Sequence, residues 1–401
     1  MTFFEELKWR GLIKDLSSPE IENLLNNEKV TFYWGTDPTA DSLHLGHYSS
    51  LVTAKRLAKH GHKPILLCGG ATGLIGDPRP TSEREIISYE EVRKNIEGIR
   101  NQINKLFDGK AKLVDNYDWT KDYTYLNFLR DIGKYINVNY MLDKDIIRRR
   151  LETGITYAEF SYTLIQGNDF LELFQRENCI MQVEGSDQWG NITTGIELIK
   201  KKLGREAYGF TMPLILDQTG KKFGKSEGNA LWLDKEKTSP YKMYQYLINT
   251  DDSKVVEYLK VFTFLSREEI ESLEESVKNE PEKRLAQKTL AYEIVKDIHG
   301  EEEAIKARET SEEVFSKGYS EEGMPEENIK LTDNMNIMDL LVSIKLAPSK
   351  SEARRLIAGN GISVNSNKVT DPNMIIEESM FESNFIVSKG KKTHIKVNLV
   401  K

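Results

Sequence analysis

Cysteine is almost missing from this chain of 401 residues: there are two, Cys68 and Cys179, each beside an apolar run and far apart in sequence. Two such residues make neither a disulfide framework nor a metal cluster, and they predict a reducing, cytoplasmic setting. No apolar run approaches the ~18 residues a bilayer span needs, so no membrane partner is expected. The first residues, MTFFEELKWRG, carry Glu5 and Glu6 where a signal peptide would be basic and then apolar. Positive charge is also short. The net charge of −7 argues against a protein that coats nucleic acid indiscriminately. The end of the chain is the exception, because basic residues outnumber acidic ones after Met335 and the rest is acidic. A basic appendix suits a polyanion, although ordinary scatter in a small domain gives the same counts.

What is present describes a globular α/β protein. Hydrophobic residues make up 39% and charged ones 30%, a folded composition, and the length calls for two or three domains. Lys29–Trp34 reads as a strand, with a helix N-capped by Asp41 or Ser42 and running to Ala58. The continuously apolar Ile65–Cys68 follows as a strand buried on both faces, which completes a βαβ unit. Ile180–Val183 and Leu214–Leu216 read as further strands, and 192–203 as a helix. Each strand ends in a polar, glycine-bearing loop, the place where open α/β sheets bind ligands. The predicted division is 1–238, a Rossmann-like parallel-sheet domain; 239–317, helical; 318–334, an acidic Gly/Pro-punctuated linker; and 335–401, a small α+β domain.

Histidine is scarce, six in all, yet His44 and His47 stand three residues apart in DSLHLGH. On a helix, i and i+3 share a face, and the first turns of a helix favour phosphate. A neutral imidazole can donate to phosphate oxygen, and Gly46 leaves bare backbone for a flat ring. Zinc ligation is the rival reading, but no carboxylate or thiol sits at a suitable spacing. Simple capping or packing is another. Later, KKFGKSEGN sets Lys222 and Lys225 around Gly224. It is not the GxxxxGK[ST] phosphate loop, and a mobile cationic flap or a solvated turn are its two readings.

HLGH and KFGKS on a parallel α/β scaffold resemble the two signatures of class I aminoacyl-tRNA synthetases. Together with YWGTDPTADSLHLGH, GGATGLIGDP, EFSYTLIQGNDF, EGSDQWGN and TSPYKMYQYLINTDD, the chain is similar to the bacterial-type tyrosyl-tRNA synthetases over nearly its whole length. The resemblance implies that Tyr33 and Asp169 hold a substrate phenol, and that Asp77, Tyr162 and Gln166 grip its ammonium. It implies phosphate and ribose contacts from Thr39, His44 and His47, an adenine platform at Gly46, and further ATP contacts at Gly35, Asp37, Gly185, Asp187 and Lys225. Gln188 falls near the reacting carboxylate. Lys222, Lys225 and Arg84 fall on mobile loops as catalytic cations. Tyr162, Gln166 and Asp169 stand at i, i+4 and i+7, one helical face, as one pocket requires.

The chain also departs from the family pattern. Trp34 stands where many relatives have a smaller residue near the ribose, Glu184 replaces a glycine before GSDQ, and the loop from Asp77 to Arg84 lacks a GKK, with Arg79 a candidate substitute. The implied reaction joins L-tyrosine to ATP, with Mg²⁺ on the ATP and no dedicated protein metal site, and passes the tyrosyl group to tRNA. The tail resembles an S4 RNA-binding domain, which implies tRNA contacts from Lys345, Lys350, Arg354 and Arg355. Arg148–Arg150 reads as a solvated helix face or an acceptor-stem contact. The family implies a homodimer, with the aromatic stretch 123–141 at its interface. Rival functions are a small-molecule adenylyltransferase, a tryptophanyl-tRNA synthetase, and an RNA binder that keeps a dead synthetase fold.

Overall fold

The computed structural model describes residues 1–78, 84, 87–226, 229–317, 324–332, 334–365, 367–381, 385–390 and 393–400, with backbone alone for 225, 226, 229 and 314–317. The chain forms two compact units, Met1–Thr238 with Thr250–Leu290, and Ser239–Asn249 with Ala291–Lys401.

The first unit is built on a six-stranded sheet. Its strands are β1 Asp15–Leu16, β2 Thr31–Thr36, β3 Lys63–Cys68, β4 Lys112–Asp115, β5 Cys179–Gly185 and β6 Tyr208–Met212, in the order β1-β6-β5-β2-β3-β4. All pair in parallel except the short edge strand β1. β3 follows β2 on one side and leads outward to β4, whereas β5 returns to the other side of β2. The direction of winding therefore reverses between β2 and β5. Crevices of this kind, at the carboxyl ends of strands, are where open α/β sheets take ligands. Phe32, Tyr33, Trp34, Ile65, Leu66, Met181 and Val183 are buried, as continuous apolar strands covered on both faces must be.

A small hairpin, β7 Lys225–Ser226 with β8 Asn229–Ala230, follows β6. The predicted strand at Leu214–Leu216 does not form. Among the described residues, Leu216 makes only an isolated bridge to Lys222, and the strand lies just before it, at Tyr208–Met212. Three apolar residues are too few to separate a strand from the loop that follows one.

In the second unit, helices Pro240–Ile248 and Glu301–Lys317 pack together. The tail forms a five-stranded sheet of β9 Glu326–Ile329, β10 Ile362–Val364, β11 Asn367–Lys368, β12 Phe385–Lys389 and β13 Thr393–Leu399, in the order β11-β10-β12-β13-β9. Helices Ile337–Ser343 and Lys350–Ala358 share its core through Ile337, Leu340, Leu341 and Ile357. The predicted linker 318–334 therefore needs correction. Residues 326–329 are an edge strand parallel to β13, with Ile329 buried in that core. Its acidic residues are the charged outer positions of an edge strand, which composition alone reads as linker.

Candidate active site

The loop after β2 leads into the helix Leu45–Lys59. Neither Asp41 nor Ser42 caps it. The Asp41 carboxylate pairs with Lys237, and the Ser42 hydroxyl donates to the Leu43 carbonyl. His44 takes the N-cap place, its Nδ1 accepting from the Gly46 N–H at 3.0 Å and the His47 N–H at 3.4 Å. His47 reciprocates from N3, where its Nδ1 accepts from the His44 N–H at 3.3 Å. The two rings stack with centroids 3.8 Å apart. With both Nδ1 atoms accepting, each neutral ring carries its proton on Nε2. Burial, then the neighbouring His44, push the His47 imidazole down to about 3, so it stays neutral. The helix N-terminus thus presents uncharged N–H donors rather than cations.

The KFGKS loop sits directly on this helix start. Gly224 has φ +85°, and a Cβ there would come within 2.8 Å of Leu45 Cβ and 2.9 Å of the Gly46 nitrogen. Phe223 anchors the loop, buried against Tyr258 and Phe262 at 4.6 and 4.7 Å between centroids. Lys222 is exposed, and its charge acts on His47. The side chain of Lys225, and Arg79 altogether, lie outside the described residues. Thr39 is exposed on the loop after β2.

Deeper in the crevice, polar side chains from five segments interlock. Asp169, on the helix Tyr157–Glu177, accepts from Asn116 Nδ2 at 2.9 Å and Trp119 Nε1 at 2.8 Å. Asn116 also donates to Thr72 Oγ1 at 2.9 Å, and Thr72 donates to Asp37 Oδ1 at 2.8 Å. Asp37 Oδ2 accepts from the Tyr162 hydroxyl at 2.9 Å. Asp77 accepts from Gln188 Nε2 at 2.8 Å and Asn191 Nδ2 at 3.4 Å. Arg84 brings positive charge to Asp37 and Asp77.

Burial dominates the titration of these groups. It raises Asp169 to about 7, against the opposing bonds from Asn116 and Trp119, and raises Asp77 to about 6. Burial, and after it the charge of Asp169, push the Tyr33 phenol well up. Within the crevice the Tyr33 hydroxyl, Arg84 Nε, Gln166 Oε1 and both amide atoms of Gln182 are buried with no hydrogen-bond partner among the described residues. Tyr33 and Gln182 are register partners on β2 and β5. Such atoms cost about 1–3 kcal/mol each unless a ligand satisfies them.

Sequence reasoning missed Thr72, Asn116, Trp119, Gln182 and Asn191. Asn116 and Trp119 lie in NYDW, which has no local pattern to mark it. Their role appears only through contacts about 50 residues away in sequence.

At the end of β5, Asp187 is exposed, and its Oδ1 would be 2.8 Å from a Cβ on Gly185, so the carboxylate lies over that glycine. Gly35 is the last residue but one of β2, and its N–H donates to Glu184. In the second unit Lys345, Lys350, Arg354 and Arg355 are all exposed. Lys350 pairs with Asp339 at 2.5 Å and Arg355 with Glu352 at 2.8 Å.

The family of class I tRNA synthetases (W and Y) matches residues 25–316, and the tyrosine–tRNA ligase SYY-like C-terminal domain matches 316–397. A tyrosine–tRNA ligase of Macrococcus caseolyticus is 47% identical over 412 residues, covering 98% of each chain. Among solved structures, a C-terminally truncated mitochondrial tyrosyl-tRNA synthetase of Coccidioides posadasii is 33% identical with a TM-score of 0.68, over 77% of this chain and 91% of that one. Its Aspergillus nidulans counterpart is 34% identical with a TM-score of 0.69, over 78% and 94%.

Proposed function

The chain belongs to the tyrosine–tRNA ligases of class I, and from that premise we infer how its residues divide the work. The enzyme activates L-tyrosine with ATP to tyrosyl-adenylate, releases pyrophosphate, and transfers tyrosine to the 3′ end of its tRNA. The residue roles that follow are our proposal.

Asp169 accepts the substrate phenol beside the Tyr33 hydroxyl. The observation that carries this is the carboxyl fixed by Asn116 and Trp119 next to an unpartnered buried hydroxyl. Phenylalanine entering the same pocket forfeits the phenol hydrogen bond and leaves the buried Tyr33 hydroxyl without a partner, which is costly. Asp77, Tyr162 and Gln166 receive the ammonium, with Gln188 near the carboxylate. The tyrosine carboxylate is ionised at neutral pH and attacks the α-phosphorus of ATP without a general base. Catalysis then consists of positioning and of meeting the charge that develops on the departing pyrophosphate. Thr39, the Nε2–H donors of His44 and His47, Lys222, Lys225 and Arg84 do this. Gly35, Asp37, Gly46, Gly185 and Asp187 seat the nucleotide. Mg²⁺ is proposed to arrive on the phosphates of ATP; among the described residues no group of three or more His, Cys, Asp or Glu could hold a metal.

The tail binds tRNA through Lys345, Lys350, Arg354 and Arg355, by contacts to phosphates. We place the sheet part at 1–238, the helical part at 239–317, and the start of the tail domain before β9 rather than at 335. The protein is proposed to act in the cytoplasm, since both cysteines are free and buried. It is proposed to act as a homodimer, in keeping with the exposed Tyr125, Leu126, Val138, Leu151 and Tyr157, between 50% and 74% accessible. No helix among the described residues is long and apolar enough to cross a membrane.

The test is exchange of labelled pyrophosphate into ATP, run with each of the twenty amino acids. Tyrosine alone should support it. K222A should lower kcat about 100-fold or more and leave KM for tyrosine within about twofold. Exchange unaffected by K222A would remove that lysine from the chemistry.

A further inference from the structure

Glu184 puts a carboxyl where a carboxyl is expensive. It is 6% exposed, near the carboxyl end of β5. The β2–β5 ladder stops at Tyr33 and Gln182, so the two strands part just before the crevice, at the point where the winding reverses. Glu184 bridges the gap. One oxygen, Oε1, accepts the N–H of Gly35. The other has no hydrogen-bond partner among the described residues. Asp187, three residues on, lies over Gly185 with its carboxylate exposed. Burial raises the Glu184 carboxyl well above the ordinary range against the opposing Gly35 bond, and the charges of Asp187 and Asp37 add to the rise.

Nearby groups that face the same strand end are already spent. Trp34 is buried and donates its indole N–H to Ser50 Oγ at 2.9 Å. The Ser50 hydroxyl in turn donates to the His47 carbonyl at 3.1 Å. The Trp34 indole therefore has no donor left for a ligand. A carboxyl oxygen with an open lone pair, reachable at a sheet switch point, matches what acidic side chains do for nucleotides elsewhere, hydrogen-bonding a sugar hydroxyl.

We propose that Glu184 is a ribose-binding residue. Its second carboxyl oxygen hydrogen-bonds a sugar hydroxyl of ATP, beside Asp187, and so sets a preference for ribose over a deoxy sugar. The inference rests on the reading above that ATP lies over Gly35 and Gly185. Two neighbouring carboxylates then serve the two vicinal hydroxyls of one ring.

The experiment is tyrosine-dependent pyrophosphate exchange with ATP, 2′-deoxyATP and 3′-deoxyATP, for the wild type, E184G, E184Q and D187N. E184G should cost about tenfold or more in kcat/KM for ATP and much less for the one deoxy analogue that lacks the hydroxyl Glu184 contacts. D187N should show that pattern with the other analogue. E184Q keeps an acceptor oxygen and the Gly35 bond, so it should recover part of the loss and fold normally. Equal losses with ATP and both analogues in E184G and E184Q, or no loss in either, would overturn the proposal while leaving the ATP site standing. Failure of the wild type to exchange with ATP at all would instead overturn the site reading beneath it.

Discussion

At the floor of the pocket, two carboxyls are held near neutrality by burial, Asp169 at about 7 and Asp77 at about 6. A folded-state value above the unfolded 3.8 means the native state keeps protons that the unfolded chain has lost. Each carboxyl therefore weakens the fold as pH rises from about 4 through its own folded value. With the roles proposed above, tyrosine would reverse that burden, its phenol donating to Asp169 and its ammonium pairing with Asp77. Both contacts need the ionised form. The gain in melting temperature on adding tyrosine should be larger at about pH 8 than at about pH 6, and D169N should flatten part of that difference. A gain independent of pH would mean neither carboxyl faces the ligand. Asp169 was legible in the sequence, since Tyr162, Gln166 and Asp169 share one helical face and polar residues at core spacing stand out. Its two donors, Asn116 and Trp119, were not, because a hydrogen bond between segments about 50 residues apart leaves no periodic mark.

At the scale of elements, the decisive feature is the start of the Leu45–Lys59 helix. Sequence preference favours Asp or Ser as its cap, and Asp41 and Ser42 are both present. Each is drawn off by another partner, and His44 caps instead. One side chain thus closes the helix through Nδ1 and is proposed to serve the reaction through its other ring nitrogen. H44N keeps a capping oxygen and removes the imidazole donor; H44A removes both. Thermal unfolding should find H44A less stable by about 1 kcal/mol and H44N close to wild type, with both impaired in pyrophosphate exchange. If H44N is fully active, His44 only caps. The neighbouring loop obeys a backbone constraint. Gly224 has φ +85° with no room for a Cβ, so G224A should lift the KFGKS loop off Leu45 and Gly46 and lower exchange without changing tyrosine binding. Unaltered exchange in G224A would separate that loop from the reaction. The main strands and both signature loops were visible in sequence, because runs such as Ile65–Cys68 are unambiguous. Leu214–Leu216 misled because three apolar residues fit a strand or its exit equally.

Across the whole molecule, an acidic body ends in a basic tail. Phosphate contacts by such a tail make tRNA charging sensitive to salt, while adenylate formation, which uses only small ligands, stays comparatively insensitive. The extent of that tail is where composition misjudged the architecture. β9 belongs to its sheet, and Ile329 to its core. A truncation after Asn334 would strand β9 and expose Ile329, at a cost of about 1.5–3 kcal/mol for one such side chain. Ending the chain at residue 323 removes the sheet whole. The shorter protein should therefore be the better behaved of the two, retaining exchange and losing tRNA charging. Exchange lost only in the shorter protein would show that the tail serves the first step. The exposed Leu126 gives a separate test, since L126E should convert the proposed dimer to monomer in light scattering, and an unchanged mass would locate the contact elsewhere.

One comparison bears most directly on the pocket: steady-state pyrophosphate exchange with tyrosine and with phenylalanine, for the wild type and D169N. A phenol hydrogen bond to a carboxylate is worth about 1.5–3 kcal/mol, so D169N should give up at least about tenfold of the preference for tyrosine, with little change in the rate for phenylalanine. A preference for tyrosine undiminished in D169N would show that some other group reads the ring hydroxyl.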